Sequence, residues 1–93
     1  VVLGRGDVTS GGDGVDLTVF GAIESGVSRR HAVIRPSGSR LLLVDQGSTN
    51  GTLHNDTPLQ AGVARQLVDG DLIVLGFLPL LLRIVSAPVT AGK

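Results

Sequence analysis

Three short stretches of this chain carry side chains that could do chemistry. Arg5 follows Val1, Val2, Leu3 and a glycine. A guanidinium at the end of a strand offers a planar fork of N–H donors that fits a carboxylate or a phosphate. Gly26-Val27-Ser28-Arg29-Arg30-His31-Ala32 then gathers a hydroxyl, two guanidiniums and an imidazole in one loop. That set suits an anion held by hydroxyl, guanidinium and backbone N–H groups. It also suits a hydrolytic triad of Ser28, His31 and Asp45. No Gly-x-Ser-x-Gly elbow surrounds Ser28, which counts against the triad. The plainest alternative is a local Ser turn with solvated arginines.

The third stretch is Asp45-Gln46-Gly47-Ser48-Thr49-Asn50-Gly51-Thr52, set between the apolar runs LLLV and LIVLG. Asn50-Gly51 is a hairpin signal, because a type I′ turn needs positive φ at both central residues. Ser48 and Thr49 add hydroxyls that a two-residue hairpin does not require. The stretch therefore reads as a turn whose donors and acceptors are displayed for a ligand.

Short elements must position these groups. Strands are expected near Val1-Leu3, Asp16-Val19, His31-Arg35, Arg40-Val44, Thr52-His54, Arg65-Val68, Asp71-Leu75 and Leu80-Val85. PSGS suits a hairpin between the third and fourth of these, and VDGD suits a tight turn before Asp71. Many short strands with turn signals at this spacing predict an all-β, two-sheet antiparallel sandwich. The alternative at one segment is a helix, since Leu59, Val63 and Leu67 fall at i, i+4 and i+8; Gly62 opposes it. Residues 7–16, with three glycines and no apolar period, read as a flexible loop.

Composition bounds the function. Ninety-three residues suit one domain. The 8 basic and 8 acidic side chains cancel, which argues against nucleic-acid binding through a broad basic face. With no cysteine there is neither a disulfide framework nor a thiolate metal site. No apolar run reaches the roughly 18 residues of a bilayer span, so no membrane partner is expected. The absence of cysteine and of a signal pattern fits a cytoplasmic location. A chain without Met at position 1 is expected to be a segment of something longer.

Taken in order and spacing, GR, VSRRHA, D-x-GSTNGT and VDGDLIVLG resemble a forkhead-associated (FHA) domain over about residues 2–85. The resemblance implies a small β-sandwich whose loops at one end bind phosphothreonine peptides, with no catalysis, no cofactor and no metal. The implied domain runs over residues 1–88, with 89–93 as a tail. Residue by residue, Arg5 would pair with the phosphate and Ser28 would donate its hydroxyl to it. Arg29 would add a contact, Thr49 would touch the phosphothreonine, and Asn50 would hold the peptide backbone. Asn55, in the turn HND where the family often has NG, would line the groove. Gly4 would position Arg5, His31 would tie the loops together, and Gly51 would satisfy the turn. Gly26 stands where some members carry a side chain that reads the peptide farther along, so specificity by that route is not expected.

The chain also departs from the pattern. Family members usually have one or two strands before the Gly-Arg strand, so the sandwich is expected to lack them here. Leu80-Val85 should then present an open edge that either pairs with upstream residues of the native protein or supports self-association. The insert TSGGDG should tolerate shortening. The partner expected is thus a phosphothreonine-containing protein in signalling. The alternative is a phosphate-independent interaction or dimerisation domain of the same fold.

Overall fold

The computed structural model describes residues 1–6 and 14–84. Among them the chain forms β1 (Val2–Gly4), β2 (Gly14–Asp16), a single 3-10 turn (Thr18–Phe20), β3 (Ala32–Ser37), β4 (Arg40–Asp45), β5 (Thr52–His54), β6 (Thr57–Pro58), β7 (Arg65–Leu67), β8 (Leu72–Leu75) and β9 (Leu78–Leu81). They make two sheets, ordered β2-β1-β3-β4-β7 and β6-β5-β8-β9. The expected sandwich is what is observed.

Period-two burial builds the core. Along β8, Ile73 and Leu75 are buried while Leu72 and Val74 are half-covered. Leu3, Ala32 and Leu43 from the first sheet join Ile73, Leu75 and Leu78 from the second in one apolar cluster. Each fully buried Leu or Ile contributes roughly 1.5 to 3 kcal/mol relative to exposure. Ala22 and Val27, also in the cluster, pin the long loop between the 3-10 turn and β3 onto this core.

Three differences from the sequence reading have physical causes, and the helix alternative is excluded. The pair β1–β2 is parallel, whereas every other pair is antiparallel. Parallel pairing needs a connection that returns along the first strand, which a two-residue hairpin cannot make. The strand expected at Asp16-Val19 ends at Asp16, whose carboxylate accepts from the Thr18 N–H and hydroxyl and so turns the chain into the 3-10 segment. Leu59, Val63 and Leu67 do not share a helix. Gly62 has φ +80 there, and Leu67 instead belongs to β7. Finally, β3 runs on through Pro36, which is tolerated because β1 pairs only with Ala32 and Val33 and leaves that flank of β3 open.

The two-residue positive-φ hairpin lies elsewhere than expected. Asn55 (φ 48) and Asp56 (φ 68) join β5 to β6, with His54 opposite Thr57. Asn50 and Gly51 instead lie where the chain leaves one sheet for the other, and of the two only Gly51 has positive φ, at +83. The last strand, expected over Leu80-Val85, instead runs Leu78–Leu81, and residues 82–84 are not strand. The bulk of the expected flexible loop (residues 7–13), residue 85, and the expected domain end at 88 with its tail lie outside the described residues.

Candidate functional site

Three connections meet at one end of the sandwich: the residues after β1, the loop before β3 and the crossing from β4 to β5. Gly4 is what lets the first two meet. A Cβ there would stand 1.8 Å from the Arg29 carbonyl oxygen, so only glycine lets the backbone of the Ser28-Arg29 segment cross β1. Arg5 follows directly, and its Nε donates to the Val27 carbonyl at 2.7 Å. That bond aims the guanidinium and leaves the two terminal amino groups out of it. The chain is then held past Arg5 by Asp16, whose carboxylate accepts from the Gly6 N–H at 2.9 Å. Hydrogen bonds from the Thr18 hydroxyl, the Thr18 N–H and the Gly6 N–H hold the Asp16 carboxyl below its ordinary titration range.

His31 ties the second connection to the third. Its buried ring accepts the Ser28 N–H at Nδ1 (3.0 Å) and donates from Nε2 to the Gly51 carbonyl (2.7 Å). This pairing defines the neutral ring with its proton on Nε2. The Ser28 hydroxyl oxygen accepts from the Thr49 N–H at 3.1 Å, so its own proton remains available to donate. The Asn50 side-chain amide donates to the Gly26 carbonyl at 2.9 Å.

Asp45 shapes the third connection from beneath. One carboxylate oxygen accepts the Ser48 and Thr52 hydroxyls (2.5 and 2.6 Å), and the other accepts the Gly47 and Ser48 N–H groups (2.9 and 3.1 Å). Ser48 passes the order on, its hydroxyl oxygen accepting from the Gly51 N–H at 3.0 Å. Burial works against ionisation of Asp45. The Ser48 and Thr52 hydroxyls and the Ser48 and Gly47 N–H groups outweigh it, so the carboxyl titrates below the usual range. Asp45 and His31 thus spend their polar atoms on the loops, and the triad of Ser28, His31 and Asp45 is not formed.

The result is a cavity of about 280 Å³ lined by Arg5, Ile23, Gly26, Val27, Ser28, Thr49 and Asn50. It presents one guanidinium, two hydroxyls and an amide, and no carboxylate side chain lines it. Four of the residues expected to bind, Arg5, Ser28, Thr49 and Asn50, are therefore brought together. Two are not. Arg29 contributes its carbonyl to the crossing at Gly4, and its side chain is exposed and outside the lining. The Asn55 side chain is held in another network, donating to Asp71 (2.9 Å) and accepting from the Leu72 N–H (2.8 Å). There it braces the β5–β6 turn instead of lining the cavity. Asp71 also accepts from His54 Nε2 at 2.6 Å and from the Val68 N–H at 2.9 Å. Bonds from His54, Asn55 and Val68, in that order of effect, bring the Asp71 carboxyl from 3.8 down to about 2. Ile23 and the ordering role of Asp45 were not expected at the site. The Asp45 role had a signal in D-x-G-S, the spacing at which an Asp accepts from N–H groups two and three residues on.

A sandwich with such a cavity between its end loops defines a class of β-sheet recognition domains. The sequence pattern described as FHA domain matches residues 1–76, and the chain belongs to that family. It is 48% identical over 60 residues to the FHA domain-containing protein FhaA of Mycobacterium tuberculosis, a match covering 64% of this chain and 11% of that protein. The chain spans 40% or less of three further curated relatives. A solved structure described as a structural and functional analysis of phosphothreonine-dependent FHA domain interactions superposes with a TM-score of 0.71 at 38% identity, over 92% of this chain and 77% of that one. An FHA domain of an Arabidopsis thaliana protein gives 0.77 at 29% identity, over 98% and 71%.

Proposed function

We propose that this domain binds phosphothreonine in partner proteins, with Arg5, Ser28, Thr49 and Asn50 as the contact residues and no chemistry of its own. The observation that carries the reading is the convergence of the Arg5 fork, the Ser28 and Thr49 hydroxyls and the Asn50 amide on one carboxylate-free cavity. A phosphate brings close to two negative charges and three acceptor oxygens, the complement of that donor set. Loop order is already established through His31, Asp45 and Gly4, so binding need not pay for arranging the donors. The solved relative concerned with phosphothreonine-dependent interactions supports the same ligand. A cytoplasmic setting belongs to this proposal and suits a cysteine-free chain that needs no oxidising compartment.

The test is titration of matched peptides carrying phosphothreonine, phosphoserine or threonine, with wild type and Arg5→Ala. Phosphothreonine-selective binding that the variant loses is the expected result. Equal binding of all three peptides by both proteins would exclude it.

A second reading, self-association, rests on β9. Among the described residues β9 pairs with β8 alone, at the end of its sheet, and Leu81 is 64% exposed. An open apolar edge is a template for strand pairing. In this reading the domain dimerises through β9 without reference to phosphate.

A further inference from the structure

Asn50 lines the cavity and is followed by Gly51. An asparagine before glycine is where a side-chain amide is lost most readily, because the next nitrogen has no Cβ beside it to hinder attack. The chain has two asparagines, Asn50 and Asn55, and only Asn50 precedes a glycine.

Both reacting groups are held by hydrogen bonds. The Gly51 N–H, whose nitrogen would attack, donates to the Ser48 hydroxyl at 3.0 Å. The Asn50 amide nitrogen, which would leave, donates to the Gly26 carbonyl at 2.9 Å. Ser48 is fixed in turn by the Asp45 carboxylate. Burial adds no shield. Asn50 is exposed, and nothing stands within 4 Å of where a Cβ on Gly51 would be. Water therefore has access, and two hydrogen bonds stand between Asn50 and the reaction. Asn55 is the opposite case. Its side chain is tied to both Asp71 and the Leu72 N–H, and the Asp56 side chain that follows it hinders attack.

Resting on the phosphothreonine reading, we propose that Asn50 is a modification site: its deamidation switches off the cavity, and Ser48, Gly26 and a bound phosphopeptide hold the reaction back. The Gly51 nitrogen gives up its proton and bonds to the Asn50 side-chain carbonyl carbon. The bond from that carbon to the side-chain nitrogen breaks, and ammonia leaves with the proton. Water, the only co-reactant, then opens the cyclic imide at either carbonyl to give aspartate or isoaspartate. Nothing is oxidised or reduced. The product has no donor for the Gly26 carbonyl, and it brings a negative charge into a cavity lined by no other carboxylate. That charge repels a phosphate. An occupied cavity resists conversion because the peptide restrains the Asn50 amide it touches.

The experiment holds wild type, Ser48→Ala and Ser48→Thr in mildly alkaline buffer, alone, with a phosphothreonine peptide or with its threonine form. Mass spectrometry of digests reads the exchange of NH2 for OH at Asn50 and Asn55. Hydrogen exchange at Gly51 and at Ile73 separates loop opening from global unfolding. Aged samples and Asn50→Asp are titrated with the same peptides. Asn50 should convert while Asn55 stays intact. Ser48→Ala should convert roughly three- to tenfold faster, the worth of one neutral hydrogen bond, and Ser48→Thr should keep the wild-type rate. Only the phosphothreonine peptide should slow conversion. Affinity should fall with the converted fraction toward that of Asn50→Asp, about tenfold or more below wild type.

Conversion at Asn50 no faster than at Asn55, or unchanged in Ser48→Ala, overturns the inference whatever the peptides do. So does converted protein that binds as fresh protein does. Where Ser48→Ala also speeds exchange at Ile73, the wild-type arms decide, and a bound phosphopeptide that leaves the rate unchanged overturns the inference. Conversion at Asn50 with equal binding of both peptides overturns the phosphothreonine reading and leaves the modification site standing.

Discussion

Arg5 does two jobs with one side chain, and they can be separated. Its Nε is bonded to Val27, so the terminal amino groups are presented in a fixed plane. Arg5→Lys keeps the charge and loses both the anchor and the fork. Affinity for a phosphothreonine peptide should therefore fall by tenfold or more (roughly 1.4 kcal/mol per decade) in a calorimetric titration. In the proposed complex, Ser28→Ala removes a donor to a charged group. That is worth about 1.5 to 3 kcal/mol, or roughly 10- to 150-fold. The selectivity of phosphothreonine over threonine should shrink with it. Both side chains were legible in the sequence because their types announce the ligand. Arg29 and Asn55 were equally suggestive by type, and the structure gives them other surroundings. Side-chain chemistry is local, but whether a side chain reaches a cavity depends on backbone far away in sequence.

The β5–β6 turn shows what a strained element costs. Asp56 holds φ 68 with no glycine's freedom, and left-handed backbone costs an L-residue about 1 to 2 kcal/mol, somewhat less for Asp. Asp56→Gly should raise stability by about 1 kcal/mol in urea unfolding, with the m-value unchanged. Behind the turn, Asp71 gathers His54, Asn55 and Val68. Its folded carboxyl titrates near 2, below its ordinary 3.8. A lowered carboxyl stabilises the fold above the unfolded value and loses that contribution as pH falls through the folded one. About 2 kcal/mol should thus disappear between roughly pH 4 and pH 2. Asp71→Asn should be less stable at pH 7 and show a flatter acid limb in pH-dependent melting. The β4–β5 connection offers the parallel case. Asp45→Ala strips four hydrogen bonds from buried or half-buried partners, and should weaken both stability and phosphopeptide affinity, although Asp45 does not line the cavity.

In the molecule as a whole, the two sheets differ in how they end. The edge strand β2 is clamped by Asp16 to the Thr18 and Gly6 backbone, whereas β9 offers Pro79 and Leu81 to solvent. If β9 is an association edge, light scattering should show a concentration-dependent dimer in wild type that Leu81→Lys converts to monomer. A monomer at all concentrations would remove that reading and leave phosphothreonine binding untouched. Leu81 is not among the residues that line the cavity.

Alternation of Val, Ile and Leu with turn residues determined the all-β class by itself, because burial on one face of a strand is written in every second residue. The spaced motifs likewise pointed to the family and to the four cavity residues, since side-chain types and their order are written in the chain itself. Tertiary structure alone decided the rest. Asn50-Gly51 became an inter-sheet crossing because Asp45 below it claims the local hydroxyls and N–H groups, and the hairpin passed to Asn55-Asp56. His31 became a tie between loops because Ser28 and Gly51, distant in sequence, supply partners for both ring nitrogens. Phe77 came to stand beside the cavity because Gly76 packs against Ser25. Each of these is a contact between segments that sequence spacing does not relate, and close packing of two sheets is what brings them together.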